Sequence, residues 1–151
     1  MPEPGDEAAT IADCAFCALV ASPQDGHIVF EDDVSLAFLD HRPLFPGHSL
    51  LIPREHLETI WDLPDDLVGP LFMNARLLSA AVRDAMGAQG AFIAANNVVS
   101  QSVPHLHVHV VPRNRGDGLR GFFWPRTKYE SEEHLRQTAE AVRAAVAELT
   151  G

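Results

Sequence analysis

His105-Leu106-His107-Val108-His109-Val110-Val111, set between Pro104 and Pro112, alternates imidazole with aliphatic side chains. Successive side chains of a strand point to opposite faces. The stretch therefore reads as a strand with three histidines on one face and Leu106, Val108 and Val110 directed into a core on the other. At a rise of about 3.3 Å per residue, the imidazoles would stand roughly 6–7 Å apart. Such a strand needs neighbours, and the sequence supplies them. Residues 28–30 and 34–39 are short apolar runs around Glu31-Asp32-Asp33 and read as a hairpin. Residues 49–52 follow the turn signal Pro46-Gly47 and stop at Pro53. Residues 91–95 form one more strand before the histidines.

Two helices complete the pattern. Leu67, Leu71, Leu78 and Val82 fall on helical spacing. Asp62 is the expected cap, and Pro64, Asp65 and Asp66 suit a first turn. Pro70 should kink this helix, and Gly87 should end it. A last helix is expected over 131–149, with Ser131 at its start and Glu132 and Glu133 complementing the dipole. Short strands joined by turns predict an α+β domain: an antiparallel sheet with one long central helix and a C-terminal helix packed against it. No Gly-rich loop joins a strand to a helix, which disfavours a dinucleotide-binding βαβ unit.

Composition narrows the function classes. The chain has 151 residues, 46% of them hydrophobic, enough for one domain over 13–151 behind a flexible segment at 1–12. No apolar run is long enough to cross a bilayer, and the acidic start lacks the order of a signal peptide, so the expected compartment is the cytoplasm. A formal net charge of -10 argues against nucleic acid as a partner. The charge is uneven, however. Arg113, Arg115, Arg120, Arg126 and Lys128 face only Asp117 in their stretch. That segment suits a small anion, or is simply a solvated basic loop.

Three imidazoles on one strand face admit two chemical readings. One is a metal site, since neutral imidazole is the commonest metal ligand, although ligands of a catalytic zinc usually come from more than one element. The other is nucleophilic and acid–base chemistry, in which a neutral imidazole attacks phosphorus and water discharges the covalent intermediate. Cys14 and Cys17 form a Cys-x-x-Cys pair. It suits two thiolate ligands to a metal, a redox couple, or two ordinary buried thiols.

At these residues the sequence resembles the histidine triad (HIT) family of nucleotide hydrolases and transferases. The resemblance rests on the 105–111 motif and spans most of the chain. It includes Cys14-Ala15-Phe16-Cys17, Glu31-Asp32, Ala37-Phe38-Leu39-Asp40, the 46–56 block from Pro46 to His56, and Gln101-Ser102-Val103-Pro104. It implies that His107 is the nucleophile, that His109 holds the phosphoryl group, and that His48 and His105 complete the catalytic network. Asp40 would bind ribose hydroxyls. Asn96, Gln101 and Ser102 would lie near the phosphate and leaving group, with Phe16, Phe38 and His41 around a purine base. In zinc-containing relatives, Cys14, Cys17, His56 and His105 would match the ligands of a closed structural zinc. A homodimer is implied too.

One departure stands out. Many relatives have Asn-Asn-Gly and a further Gly before the Gln, whereas this chain has the shorter Asn96-Asn97-Val98-Val99-Ser100-Gln101. The apolar 121–124 stretch, Gly-Phe-Phe-Trp, stands between arginines and suits a leaving group or a partner subunit. The expected activity is hydrolysis of a phosphoramidate or dinucleoside polyphosphate through a nucleotidyl-histidine. The alternatives are a nucleotidyltransferase or phosphorylase using the same intermediate, and a non-catalytic nucleotide-binding protein.

Overall fold

The computed structural model describes residues 12–120 and 126–151; the segment 1–11 and the 121–124 stretch lie outside them. The chain divides into two compact units, with the division in the sequence between Asp117 and Gly118. The first opens with helix α1 (Ala15–Ala21) and strands β1 (Ile28–Glu31), β2 (Ser35–Leu39) and β3 (Ser49–Pro53). Helix α2 (Asp65–Met86) and strands β4 (Gly90–Ala94) and β5 (Val108–Arg113) follow. The strands form one five-stranded sheet in the order β1-β2-β3-β5-β4, antiparallel throughout. The second unit carries α3 (Glu132–Thr150). Ser131 caps α3 by accepting a hydrogen bond from the His134 N–H at 3.0 Å, with Glu132 and Glu133 in the first turn.

Both faces of the sheet are covered, for reasons visible in the residues. On one face α2 presents Leu71, Ala75, Leu78 and Val82 at helical spacing to Ala37, Leu51, Val108 and Val110. On the other, Phe16, Leu19 and Val20 of α1 pack on Leu36, Phe38, Leu50 and Ile52. Strands β2 and β3 are consequently buried on both sides and read as continuous apolar runs rather than alternating ones. The turn before β3 needs Gly47: its φ is +97°, and a Cβ there would meet Met86 Cγ at 2.6 Å. Helix α2 ends as expected at Gly87, in the left-handed conformation.

Two local expectations are corrected. Asp62 does not cap α2. Its carboxylate accepts hydrogen bonds from the N–H and hydroxyl of Thr59, closing a short 3-10 turn at Ile60–Asp62, and α2 starts after Pro64. Pro70, where a kink is expected, lies within α2, which continues to Met86. It is exposed there, so the carbonyl it leaves without an N–H partner can meet water. Finally, β5 starts at Val108 rather than His105. The backbone at 103–105 turns, with the His105 N–H donating to the Val103 carbonyl at 2.8 Å.

Candidate functional site

That turn takes His105 out of the strand and apart from the other two histidines. Val108 and Val110 face the α2 core as expected, and His107 and His109 look toward α1. Their ring centroids are 5.1 Å apart, closer than the roughly 6–7 Å between alternate positions of a strand, so the rings lean together, and Phe16 meets His107 edge-on at 5.1 Å. His107 is buried, 4% exposed. Its Nδ1 lies 2.7 Å from the carbonyl oxygen of His105. A carbonyl only accepts, so Nδ1 carries the proton and Nε2 keeps its lone pair. This tautomer is the one a nucleophilic imidazole needs.

A second chain of hydrogen bonds sets the neighbours. The Leu44 N–H donates to His48 Nδ1 at 3.0 Å, which leaves the His48 proton on Nε2. His48 Nε2–H then donates to His109 Nδ1 at 3.0 Å, which leaves the His109 proton on Nε2. His109 is thereby a neutral donor, suited to a phosphoryl oxygen or a leaving group. Burial, with His107 and His48 beside it, pushes the His109 imidazole down to about 4, although Asp40 pulls the other way. Burial lowers His48 as well, against the opposing pull of Asp40. Asp40 lies 3.7 Å from His48 Nε2 and accepts the Arg42 N–H at 2.9 Å.

The depressed His109 makes stability depend on pH with a definite sign. The folded chain keeps this imidazole neutral down to about pH 4, while an unfolded one takes up a proton near its ordinary 6.5. Between those values the unfolded state binds more protons, so the stabilising contribution is complete above about 6.5 and is lost as the pH falls toward 4. Thermal melting across that window should show Tm falling with pH, and His109→Gln should fall less steeply. Equal slopes for the two proteins would refute this assignment.

Beside Phe16 lies a cavity of about 400 Å³, lined chiefly by Phe16, Leu19, Phe38, Leu39 and His41, with Asp25 and His27 contributing polar groups. Phe16 and Phe38 meet edge-to-face at 5.3 Å. The structure thus brings together the three side chains expected around a base. Leu19, Asp25, His27 and Leu39 were not anticipated. Leu19 follows Phe16 at helical spacing and was open to recognition, whereas Asp25 and His27 belong to the turn marked by Pro23 and Asp25-Gly26, a signal that does not say which cavity its side chains line.

The phosphate-side candidates fare differently. Ala94 pairs with His109, so Asn96, two residues on, is carried toward the level of His107. Its amide donates to the Ser100 carbonyl at 3.2 Å. Ser102 is exposed. Gln101 is not free: its amide donates to the Glu58 carbonyl and accepts the Val98 N–H at 3.0 Å. In the basic stretch, Arg113 is held by both carboxylate oxygens of Asp117, at 2.6 and 3.1 Å.

Behind His107, Cys14, Cys17, His56 and His105 gather with their donor atoms all within 4.8 Å of one another. His105 Nδ1 lies 3.4 Å from Cys14 Sγ, and His56 Nδ1 lies 3.1 Å from Cys17 Sγ. A tetrahedral zinc with Zn–S of about 2.3 Å and Zn–N of about 2.0–2.1 Å separates its ligands by roughly 3.3–3.8 Å. The donor set and spacing therefore fit such an ion. His105 Nε2–H donates to the Pro53 carbonyl at 2.9 Å, which turns the lone pair on Nδ1 toward the sulfurs. Burial and the adjacent Cys14 push the Cys17 thiol up to about 11; a bound cation reverses that preference.

Comparison with known proteins agrees with this geometry. A family model described as HIT domain matches residues 22–116. A HIT-like protein of Saccharolobus solfataricus is 35% identical over 132 residues, covering 85% of this chain and 94% of its own length. An adenosine 5'-monophosphoramidase of Schizosaccharomyces pombe is 31% identical, covering 80% of this chain and 89% of its own. Among solved structures, a HIT-family protein of Bacillus subtilis superposes with a TM-score of 0.78 at 30% identity, covering 87% and 96% of the two chains. A Zn-bound histidine triad family protein of Mycobacterium smegmatis superposes with a TM-score of 0.68 at 34% identity, covering 93% and 97%.

Proposed function

The chain belongs to the histidine triad (HIT) family, and from that premise we propose that it hydrolyses nucleoside phosphates, purine nucleotides preferred, through a nucleotidyl-histidine intermediate. The observation that carries this reading is the His107 tautomer. Its Nδ1 proton is committed to the His105 carbonyl, so the Nε2 lone pair is available for in-line attack on an α-phosphorus. The phosphorus–leaving-group bond breaks as the Nε2–P bond forms. His109, with its proton directed to Nε2 by His48, donates a hydrogen bond to the phosphoryl oxygens, and the departing amine or phosphate takes a proton from solvent, which the attacking water later returns. Water then attacks the same phosphorus and returns His107 to its starting state. Phe16 and Phe38 offer the base an apolar slot, and Asp40 offers the ribose a carboxylate. The monophosphoramidase activity named for the fission-yeast relative supports an amine as one leaving group.

Zinc is proposed as a structural ion held by Cys14, Cys17, His56 and His105. Four protein ligands leave no open position for water. The ion would tie α1 to the turn bearing His105, and the Zn-bound relative supports it. A homodimer is proposed as well. Among the described residues β4 is an edge strand, and α2 exposes Val68, Phe72, Met73 and Leu77.

Product analysis tests the reaction. With adenosine phosphoramidate and diadenosine polyphosphate as substrates, AMP should be released, and added inorganic phosphate should not divert it to ADP. Formation of ADP in proportion to added phosphate would make the enzyme a phosphorylase. No turnover of any nucleoside phosphate, despite binding, would make it a binding protein.

A further inference from the structure

The connection from β4 to His105 is held in a conformation that its residues resist. Val98 has φ +72° and Ser100 has φ +62°, in the left-handed region that L side chains avoid and β-branched ones avoid most. The Val99 N–H donates to the Asn97 carbonyl at 2.9 Å, so Val98 is the centre of a three-residue turn of the rarer, strained sign. Glycine would adopt either angle without penalty, and this chain has none there.

Two side-chain amides hold the strained segment in place. Asn97 Oδ1 accepts the Ile60 N–H at 2.8 Å. Gln101 accepts the Val98 N–H at 3.0 Å and donates to the Glu58 carbonyl. The Leu106 N–H, between His105 and His107, donates to the Leu57 carbonyl at 2.6 Å. Residues 57–60 are thus stitched to the connection at three points, the last beside the nucleophile.

We propose that Asn97 and Gln101 are positioning residues, which clamp the left-handed Val98–Ser100 turn against residues 57–60 and act on the reaction through that backbone without touching the substrate. The proposal rests on His107 as the nucleophile. It gives Gln101 a role other than the phosphate contact implied by the family resemblance. The physical logic is that a clamp is needed only because the turn carries side chains at angles suited to glycine. Without the clamp the segment relaxes, and the chain that delivers His107 loses its fixed approach. Misplacement on the scale of 1 Å costs up to about a hundredfold in rate.

The test follows from that logic. Gln101→Ala and Asn97→Ala should each lower kcat/KM on adenosine phosphoramidate by about tenfold or more, and the double variant should lose little beyond the worse single one. Adding Val98→Gly and Ser100→Gly to Gln101→Ala should recover most of the lost activity, because glycine reaches the same angles without the strain that drives the unclamped turn to relax. In folded Gln101→Ala, amide hydrogen exchange should quicken at residues 97–101 while the β5 amides stay unchanged. Additive losses, or no recovery with glycine, would mean that Gln101 acts on the substrate directly and would overturn the proposal. Unchanged exchange at 97–101 would overturn it equally. His107→Ala is the separate control: turnover surviving in that variant removes the nucleophile reading, while the exchange result still judges the clamp.

Discussion

Replacing His107 with alanine is expected to abolish turnover while nucleotide binding survives within a few fold. Loss of a covalent nucleophile typically costs about 10⁴-fold or more in kcat, because no other group supplies the bond to phosphorus. His109 cannot substitute. Its Nδ1 lone pair accepts the His48 Nε2–H, with the two nitrogens 3.0 Å apart, and its Nε2 carries a proton, so it has no lone pair to offer. Binding should persist because the cavity proposed for the base is built from Phe16, Leu19, Phe38 and Leu39. Of these, Phe16 also touches His107, through an edge contact, and this contact is the source of any modest change in affinity. Steady-state kinetics with adenosine phosphoramidate, paired with calorimetric titration of AMP, separates the two effects. Near-normal kcat in the variant would refute the mechanism.

Removing the metal is expected to have the second-largest effect, and to appear first in stability. The purified chain should contain one zinc per protomer. Cys14 and His105 are both buried, so stripping the ion leaves polar donors in a dry environment and unties α1 from the turn at His105. A loss of about 3–5 kcal/mol lowers Tm by roughly 6–20 °C for a chain of this size. Cys17→Ser should reproduce most of that loss. Because the thiols must shed protons to bind the ion, and Cys17 is otherwise pushed up to about 11, zinc affinity should fall as the pH is lowered. Catalysis should decline alongside, since His105 provides the carbonyl that fixes the His107 tautomer. Protein prepared without chelators that holds no zinc, and that melts unchanged after Cys17→Ser, would contradict the assignment.

Much of the fold was legible because the core residues obey simple periods. Leu71, Leu78 and Val82 announced the buried face of α2, and the alternation of Val108 and Val110 with histidine announced the face of β5. What escaped was local and depended on tertiary partners. Asp62 has the chemistry of a cap for α2 but serves Thr59 instead, because Pro64 already bounds the helix. The turn at 103–105 is invisible to a period-two reading, since His105 continues the alternation while leaving the strand. For the site, the side-chain types of the triad and of the Cys2His2 set were legible through a resemblance carried by ordered motifs. The tautomers were not. They are fixed by the Leu44 N–H and by the His105 and Pro53 carbonyls, main-chain groups to which no sequence pattern assigns a role. The strain at Val98 was half-visible: the missing glycines marked the place, but only the backbone showed left-handed angles at Val98 and Ser100.

The central claim is that phosphorus passes through His107 on its way to water, and the stereochemical course of hydrolysis tests it most directly. A nucleoside phosphorothioate made chiral at the α-phosphorus with isotopic oxygen, hydrolysed in labelled water, reports how many displacements occur there. Each in-line displacement inverts the centre. Attack by His107 followed by attack of water predicts overall retention of configuration. Inversion would mean that water attacks the substrate in a single step, with no nucleotidyl-histidine, and would contradict the account.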